Sequence, residues 1–128
     1  MNRLLWVCLG SALGGGARYL VSLAALRLLG AGFPYGTLAV NVLGSFAIGA
    51  VMHVGLESTL LSPTARLFLT TGVLGGFTTY STFNYETLGL VSEGDWLRAG
   101  LNLAVTVVAC GVAGLLGVAS GRALLGGV

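Results

Sequence analysis

The chain carries very little charge. Of its 128 residues, 8% are charged and 55% are hydrophobic, and the mean hydropathy is +0.95. A soluble globular domain has charge on about 25% of its residues. With so few ionic groups, water cannot solvate the folded surface, so the composition predicts a protein whose solvent is lipid. A chain of this length forms one domain, which spans residues 1–128.

Other shortages exclude whole classes of function. The net charge is +2 and every basic residue is an unclustered Arg, which argues against nucleic acid as a partner. Cys8 and Cys110 lie inside apolar runs and resemble small buried hydrophobic residues more than a disulfide or metal framework. The single histidine, His53, and the few acids leave no nucleophile–base pair for an enzyme.

The apolar residues fall into four segments. Each is long enough for a helix of about 20 residues that crosses a bilayer, and we place these helices at residues 4–29, 37–56, 65–91 and 97–116. Whether the last one continues to Leu125 is left open. The N-terminus also fits a signal peptide, but the apolar character resumes after Arg18 and continues to Leu29, which favours a full span.

The arginines give almost no orientation signal. With four spans, both termini and the middle loop lie on one side of the membrane. That side carries Arg3, Arg66 and Arg122, and the other side carries Arg27 and Arg98. Because basic loops favour the cytoplasm, this near balance has two interpretations. Either the rule is too weak at such small numbers, or the chain inserts in both orientations and builds an antiparallel dimer.

Small residues recur at helical spacing. The chain has 22 glycines, and small residues let helix backbones approach closely in membranes. The spaced positions are Ala109, Ala113, Gly117 and Gly121 in the fourth helix, Gly10 and Gly14 in the first, and Ser45 and Gly49 in the second. They indicate tight packing within one bundle or a subunit interface. Because four short helices enclose little space, we expect an oligomer.

Polar residues at bilayer depth are the candidate functional residues, since they are costly there. Arg18 either snorkels to the interface or attracts anions to a water-filled vestibule. Asn41 either bonds a neighbouring helix or donates to an anion in transit. Residues 75–79, "GGFTT", interrupt the third helix. They form either a simple kink or an unwound segment whose carbonyls require another partner, such as water or a cation.

After this interruption, aromatic residues alternate with hydroxyl groups. Tyr80 and Phe83 are three positions apart and lie on one helix face. Ser81, Thr82 and Glu86 run beside them. The aromatics either pack helices together or present their partially positive ring edges to a small anion. In the second case Glu86 is protonated, lies near the pore mouth, or pairs with an arginine.

The whole chain resembles the small bacterial fluoride channels of the Fluc, or CrcB, family. The resemblance lies in the four-helix plan, in "GARY" and "GTLAVNVLGSFAIG", and above all in "TTGVLGGFTTYSTFNYE". The family pattern there is Gly-Gly-x-Thr-Thr-Phe-Ser-Thr-Phe, with a Glu three residues later. The chain departs from it at Tyr80, whose hydroxyl adds a polar group where the family has none.

The resemblance implies an all-α, dual-topology antiparallel homodimer in the bacterial inner membrane, with two fluoride pores along the subunit interface. It also implies a central structural sodium ion (Na+) held by the backbone carbonyls of Gly75 and Thr78. The implied fluoride pathway is Asn41, Tyr80, Phe83, Ser81, Thr82 and Glu86, and Arg18 lines a vestibule. Such channels export fluoride that enters the cell as neutral HF and ionises inside.

Two rival functions fit less well. A small multidrug transporter needs a carboxylate in its first helix, and here that helix has no acid and carries Arg18. A structural subunit without transport activity suits the glycine-rich faces, but packing alone does not favour a polar break in the third helix.

Overall fold

The computed structural model describes residues 2–57 and 59–126, and within these ranges every regular element is helical. Three long helices are α1 (Asn2–Leu29), α2 (Tyr35–Glu57) and α6 (Trp96–Leu124). Between α2 and α6, the third predicted span consists of four consecutive pieces: α3 (Pro63–Leu67), a π-helical segment (Phe68–Leu74), α4 (Gly75–Phe77) and α5 (Tyr80–Ser92). The prediction of four helical segments with a broken third is confirmed.

The three unbroken helices are long and apolar enough to cross a membrane. At 1.5 Å per residue, the 28 residues of α1 extend about 42 Å, more than the roughly 30 Å hydrocarbon core. No piece of the third span is long enough to cross alone, so this span crosses only as a composite. Its start is set by Ser62, whose hydroxyl accepts a bond from the Ala65 N–H, and by Pro63 in the first turn.

The break in the third span is shorter than predicted. Only Thr78 and Thr79 leave the helical conformation, with φ/ψ of −84°/158° and −155°/115°, while Gly75–Phe77 stay helical. The sequence assigned the break to all five residues because paired glycines weaken helices. Here the Gly76 backbone packs on α1, where an added Cβ would lie 2.6 Å from the Ser11 carbonyl oxygen.

A π-helical turn precedes the break and was not predicted. It spans seven residues, Phe68–Leu74, and brings Gly72 against Gly10 of α1, so that a Cβ on Gly72 would lie 3.0 Å from the Gly10 Cα. Gly14 of α1 packs in the same way against the Val73 carbonyl. Such turns are rare and often lie beside functional sites.

The most extensive packing joins α2 and α6. A Cβ on Gly117 would overlap the carbonyl oxygen of Phe46, and one on Gly49 would overlap that of Gly114. Ala113, Gly117 and Gly121 are buried, although Ala109 is only half-buried. The reading of the small-residue faces as packing within one bundle is therefore confirmed.

Little apolar surface is buried inside one chain. Among the described residues, the buried apolar side chains are Val40, Phe83, Ala99 and Ala113. Cys8 and Cys110 are free, but neither is buried as predicted, since Cys8 is exposed and Cys110 is half-buried. The leucine and valine side chains that cover the outside give the chain a surface suited to lipid or to another apolar partner.

Candidate functional site

The side chain of Asn41, on α2, replaces the helical hydrogen bonds at the break. Its Oδ1 accepts from the backbone N–H of Thr79 at 2.8 Å, and its Nδ2 donates to the carbonyl oxygen of Thr79 at 3.0 Å. Thr79 is buried, so its backbone groups need these partners. The predicted interhelical hydrogen bond of Asn41 is confirmed. Because Nδ2 carries two hydrogens, one remains for another acceptor.

Thr79 also begins α5. Its Oγ1 accepts from the Thr82 N–H at 3.2 Å as an N-cap, and it donates to the Thr82 Oγ1 at 3.1 Å. The Ser81 hydroxyl lies 3.3 Å from the same oxygen. Thr79, Ser81 and Thr82 thus form one cluster of hydroxyl groups at the start of α5.

These bonds remove the helical donors of two carbonyl groups. In a continuous helix, the carbonyl of Gly75 accepts from the N–H of residue 79 and that of Thr78 from the N–H of residue 82. Here the Thr79 N–H bonds to Asn41, and the Thr82 N–H bonds to the Thr79 hydroxyl. The Gly75 and Thr78 carbonyls are hard oxygen donors freed from the helix, and they fit a hard cation.

A groove opens beside the break. This break groove has a volume of about 420 Å³ and is lined at the break by Asn41, Gly75, Thr78, Thr79, Tyr80 and Phe83. Thr106 and Cys110 of α6 complete the opposite wall. The rings of Tyr80 and Phe83 meet edge to face, with centroids 5.6 Å apart and planes at 65°. Phe83 is 3% exposed, whereas Tyr80 is 79% exposed and faces away from its own chain.

A second cavity, the loop cavity, has a volume of about 800 Å³ and is lined by Thr37, Thr82, Tyr85, Glu86 and residues 30–36, which form the loop after α1 and the start of α2. The Thr37 hydroxyl donates to Glu86 Oε1 at 2.7 Å, and Glu86 Oε2 is buried without a partner among the described residues. Of the three alternatives for Glu86, a place near a mouth agrees with this cavity. In the described structure its partner is Thr37 and not an arginine.

A pair of hydrogen-bonded hydroxyls lies between the two cavities. Thr79 lines the break groove, Thr82 lines the loop cavity, and their side chains are hydrogen-bonded to each other. Ser81 is exposed and borders neither cavity. Arg18 is half-buried on α1 and is not among the residues that line either cavity, so its vestibule role remains a prediction.

Sequence reasoning missed four polar residues near these cavities. Thr37 bonds Glu86, and a buried cluster behind Phe83 contains Thr87, Asn102 and Thr106. A signal was present, because Thr37 is four residues before Asn41 and Asn102 is four before Thr106 in otherwise apolar helices. Polar residues with this spacing share a helix face and bond across helices in membranes.

Comparison with known proteins identifies the family. Residues 5–118 match the family described as "CrcB-like protein, Camphor Resistance (CrcB)". The chain belongs to the CrcB (FluC) family. It is 50% identical over 127 residues to the fluoride-specific ion channel FluC of Sorangium cellulosum, covering 99% of this chain and 100% of that one.

Other bacterial relatives carry the same name. The FluC of Anaeromyxobacter sp. (strain K) is 58% identical over 113 residues, which are 88% of this chain and 90% of that one. The FluC of Geobacter sulfurreducens is 45% identical over 124 residues, which are 97% of this chain and 100% of that one. With its three apolar helices, the chain is a multi-pass protein of the bacterial inner membrane. The family consists of ion channels, so the exclusion of an enzyme is confirmed.

Proposed function

We propose that this protein is a fluoride-selective channel that lets cytoplasmic fluoride leave the cell passively. The relatives named above are fluoride-specific channels. The structural observation that carries the proposal is the hydroxyl pair of Thr79 and Thr82, which are hydrogen-bonded at 3.1 Å and line the break groove and the loop cavity respectively. Hydroxyl groups turn to donate or accept, so they replace water around a small anion along this route.

The route combines donors with weakly positive surfaces. Asn41 retains one amide hydrogen, and the Tyr80 and Phe83 rings present edges that attract an anion without a full charge. Conduction needs binding strong enough for entry and weak enough for exit. Glu86, tied to Thr37, then lies near one end of the route, in the loop cavity.

We further propose that the working unit is an antiparallel homodimer with two pores. Tyr80 lines the break groove and is 79% exposed, so a single chain leaves this part of the route uncovered. A second copy supplies the missing wall, and the near balance of arginines permits it to insert the other way. In a variant whose Cys8 and Cys110 are replaced by alanine, labelling of a single introduced cysteine from both faces of intact membranes tests this. Labelling from one face only would contradict the antiparallel arrangement.

The Gly75 and Thr78 carbonyls are proposed to hold a central Na+ together with those of the partner copy. Their helical donors are redirected to other acceptors, which supports the assignment. When bound, the ion would neutralise the carbonyl dipoles and hold the two breaks together. Replacing Na+ with a large organic cation is expected to lower the melting temperature of the purified protein. An unchanged melting temperature in sodium-free buffer would argue against the site.

A growth experiment tests the function in cells. A bacterial strain without its own fluoride exporter is expected to tolerate more fluoride when it produces this chain. A chain with Phe83→Ile, produced in equal amount, should give no such tolerance. Equal tolerance with both chains would remove the aromatic route from the proposal.

A further inference from the structure

A polar cluster lies behind Phe83, at the contact between α5 and α6. Asn102, Thr87 and Thr106 are 1%, 5% and 7% exposed in a chain that buries few side chains at all. Buried polar groups are costly in a membrane unless they are paired. The cluster therefore calls for an explanation beyond helix packing, for which apolar residues suffice.

The cluster is a directed chain of hydrogen bonds that ends on Phe83. The Thr106 hydroxyl donates to Asn102 Oδ1 at 3.4 Å, and Asn102 Nδ2 donates to Thr87 Oγ1 at 2.8 Å. Thr87 Oγ1 in turn donates to the backbone carbonyl of Phe83 at 2.8 Å. The Thr87 hydroxyl thus accepts from α6 and donates to the residue that carries the pathway ring.

The break makes such an anchor necessary. Because Thr78 and Thr79 are extended, the preceding helix does not fix the rotation of α5 about its own axis. On one side α2 holds α5, through Asn41 at Thr79 and through Thr37 at Glu86. Asn102 supplies a polar anchor from α6. Without it, rotation of α5 would move the Phe83 ring relative to Asn41 of α2, which lines the same groove.

We propose that Asn102 is a positioning residue which, acting through Thr87, sets the rotation of α5 and holds the Phe83 ring in the break groove. This inference rests on the proposed function, because the positioned ring belongs to the proposed pathway. Asn102 is not assigned a contact with the ion. Its effect on flux passes through the Thr87 hydroxyl.

Two substitutions of Thr87 separate positioning from packing. Thr87→Val keeps the shape but removes the hydroxyl, whereas Thr87→Ser keeps the hydroxyl and removes a methyl group. Fluoride efflux is expected to fall about tenfold in Thr87→Val, equivalent to about 1.4 kcal/mol in the barrier, and to stay near the wild-type rate in Thr87→Ser. Ser120→Ala, which removes an exposed bond of the same kind within α6, serves as the control. The opposite order of the two Thr87 variants would overturn the proposal.

A double-mutant cycle tests whether Asn102 acts through Thr87. Asn102→Leu removes the amide and keeps the branching of the side chain, and its loss of flux should not multiply with that of Thr87→Val, since both break one chain of bonds. Multiplying losses would mean that Asn102 acts on its own, against the proposal. If Asn102→Leu does not fold, Asn102→Ala replaces it in the cycle and should likewise add no loss to Thr87→Val.

A spectroscopic readout decides the claim without any flux. A 4-fluorophenylalanine at position 83 should give a fluorine NMR resonance that shifts or broadens in Thr87→Val and is unchanged in Thr87→Ser. An identical resonance in all three proteins would refute the positioning role. If the wild-type protein moves no fluoride, the proposed function fails, and this resonance still decides whether Asn102 and Thr87 position residue 83.

Discussion

The α2–α6 interface and the broken third span hold helices together in two different ways. In the first, backbones touch: Gly117 packs against the Phe46 carbonyl and Gly49 against that of Gly114. In the second, side chains make the contacts: Asn41 bonds the Thr79 backbone, and Asn102 bonds Thr87. The first needs only small residues, while the second needs a particular polar group at each position.

The difference separates folding from the proposed conduction. Close backbone contact between intact helices leaves no room for an ion and no free polar group. Side-chain bonds at the break instead release the Gly75 and Thr78 carbonyls and bring hydroxyls to a groove. Substitutions at the α2–α6 interface should therefore impair folding, and substitutions at the broken third span should impair transport.

The largest effect is expected at the backbone contact. Gly117→Ala places a Cβ on the Phe46 carbonyl oxygen, and a backbone atom cannot move aside as a side chain can. The cost should exceed the ~1–3 kcal/mol of ordinary overpacking, and gel filtration should show aggregated or no protein. Gly111→Ala on the same helix meets nothing within 4 Å and is the control. A monodisperse Gly117→Ala protein would remove the contrast between the two regions.

Phe83→Ile should cause the next largest effect, on transport alone. The substitution removes the ring that meets Tyr80 edge to face, while isoleucine keeps the position apolar. Fluoride flux is expected to fall about a hundredfold, or about 2.8 kcal/mol, with unchanged elution of the purified protein. Phe68→Ile, which disturbs a similar ring pair with Trp6 outside the break groove, should transport normally. Equal losses in both variants would mean that the rings only pack.

Asn41 should give a smaller loss, of about tenfold or about 1.4 kcal/mol. Asn41→Asp adds negative charge on the path and removes the donor to the Thr79 carbonyl. Asn41→Leu removes both bonds to Thr79 without adding charge. Efflux measured for the two variants separates repulsion of the anion from disorder at the break. Normal flux in Asn41→Asp would exclude Asn41 from the pathway.

Tyr80→Phe is expected to have the smallest effect. Tyr80 is 79% exposed in the single chain, and phenylalanine keeps the ring while removing the hydroxyl. Conduction should survive, and the change in the rate of fluoride efflux should be smaller than the change in the Asn41 variants. The rate of fluoride efflux at equal protein density is the measurement. Abolished transport would show that the hydroxyl, and not the ring edge, carries the role of this position.

The sequence predicted the four helices well because long apolar runs and Pro and Gly breakers are local signals. Motif resemblance also selected Asn41, Tyr80 and Phe83, which the structure brings together at the break groove. The sequence did not predict the π-helical segment. This segment brings Gly72 against Gly10 of another helix, and no local pattern marks that contact. The predicted break was also too long, because it included the two glycines. The bond at the actual break, from the Thr79 N–H to Asn41, joins residues 38 positions apart and cannot be seen in the local sequence.

The buried cluster was missed for the same reason. Asn102 and Thr87 are 15 positions apart, and neither has a local feature that marks it as a partner of the other. Polar residues four apart in an apolar helix are a usable signal, but the sequence does not say which helix they face. Tertiary contact supplies that information.

The most direct measurement is ion efflux from liposomes that hold the purified protein, read with a fluoride electrode and repeated with chloride. The account predicts rapid loss of fluoride and retention of chloride, with flux abolished or strongly reduced by Phe83→Ile. No fluoride efflux from well-folded wild-type protein, or equal efflux of both anions, would contradict it.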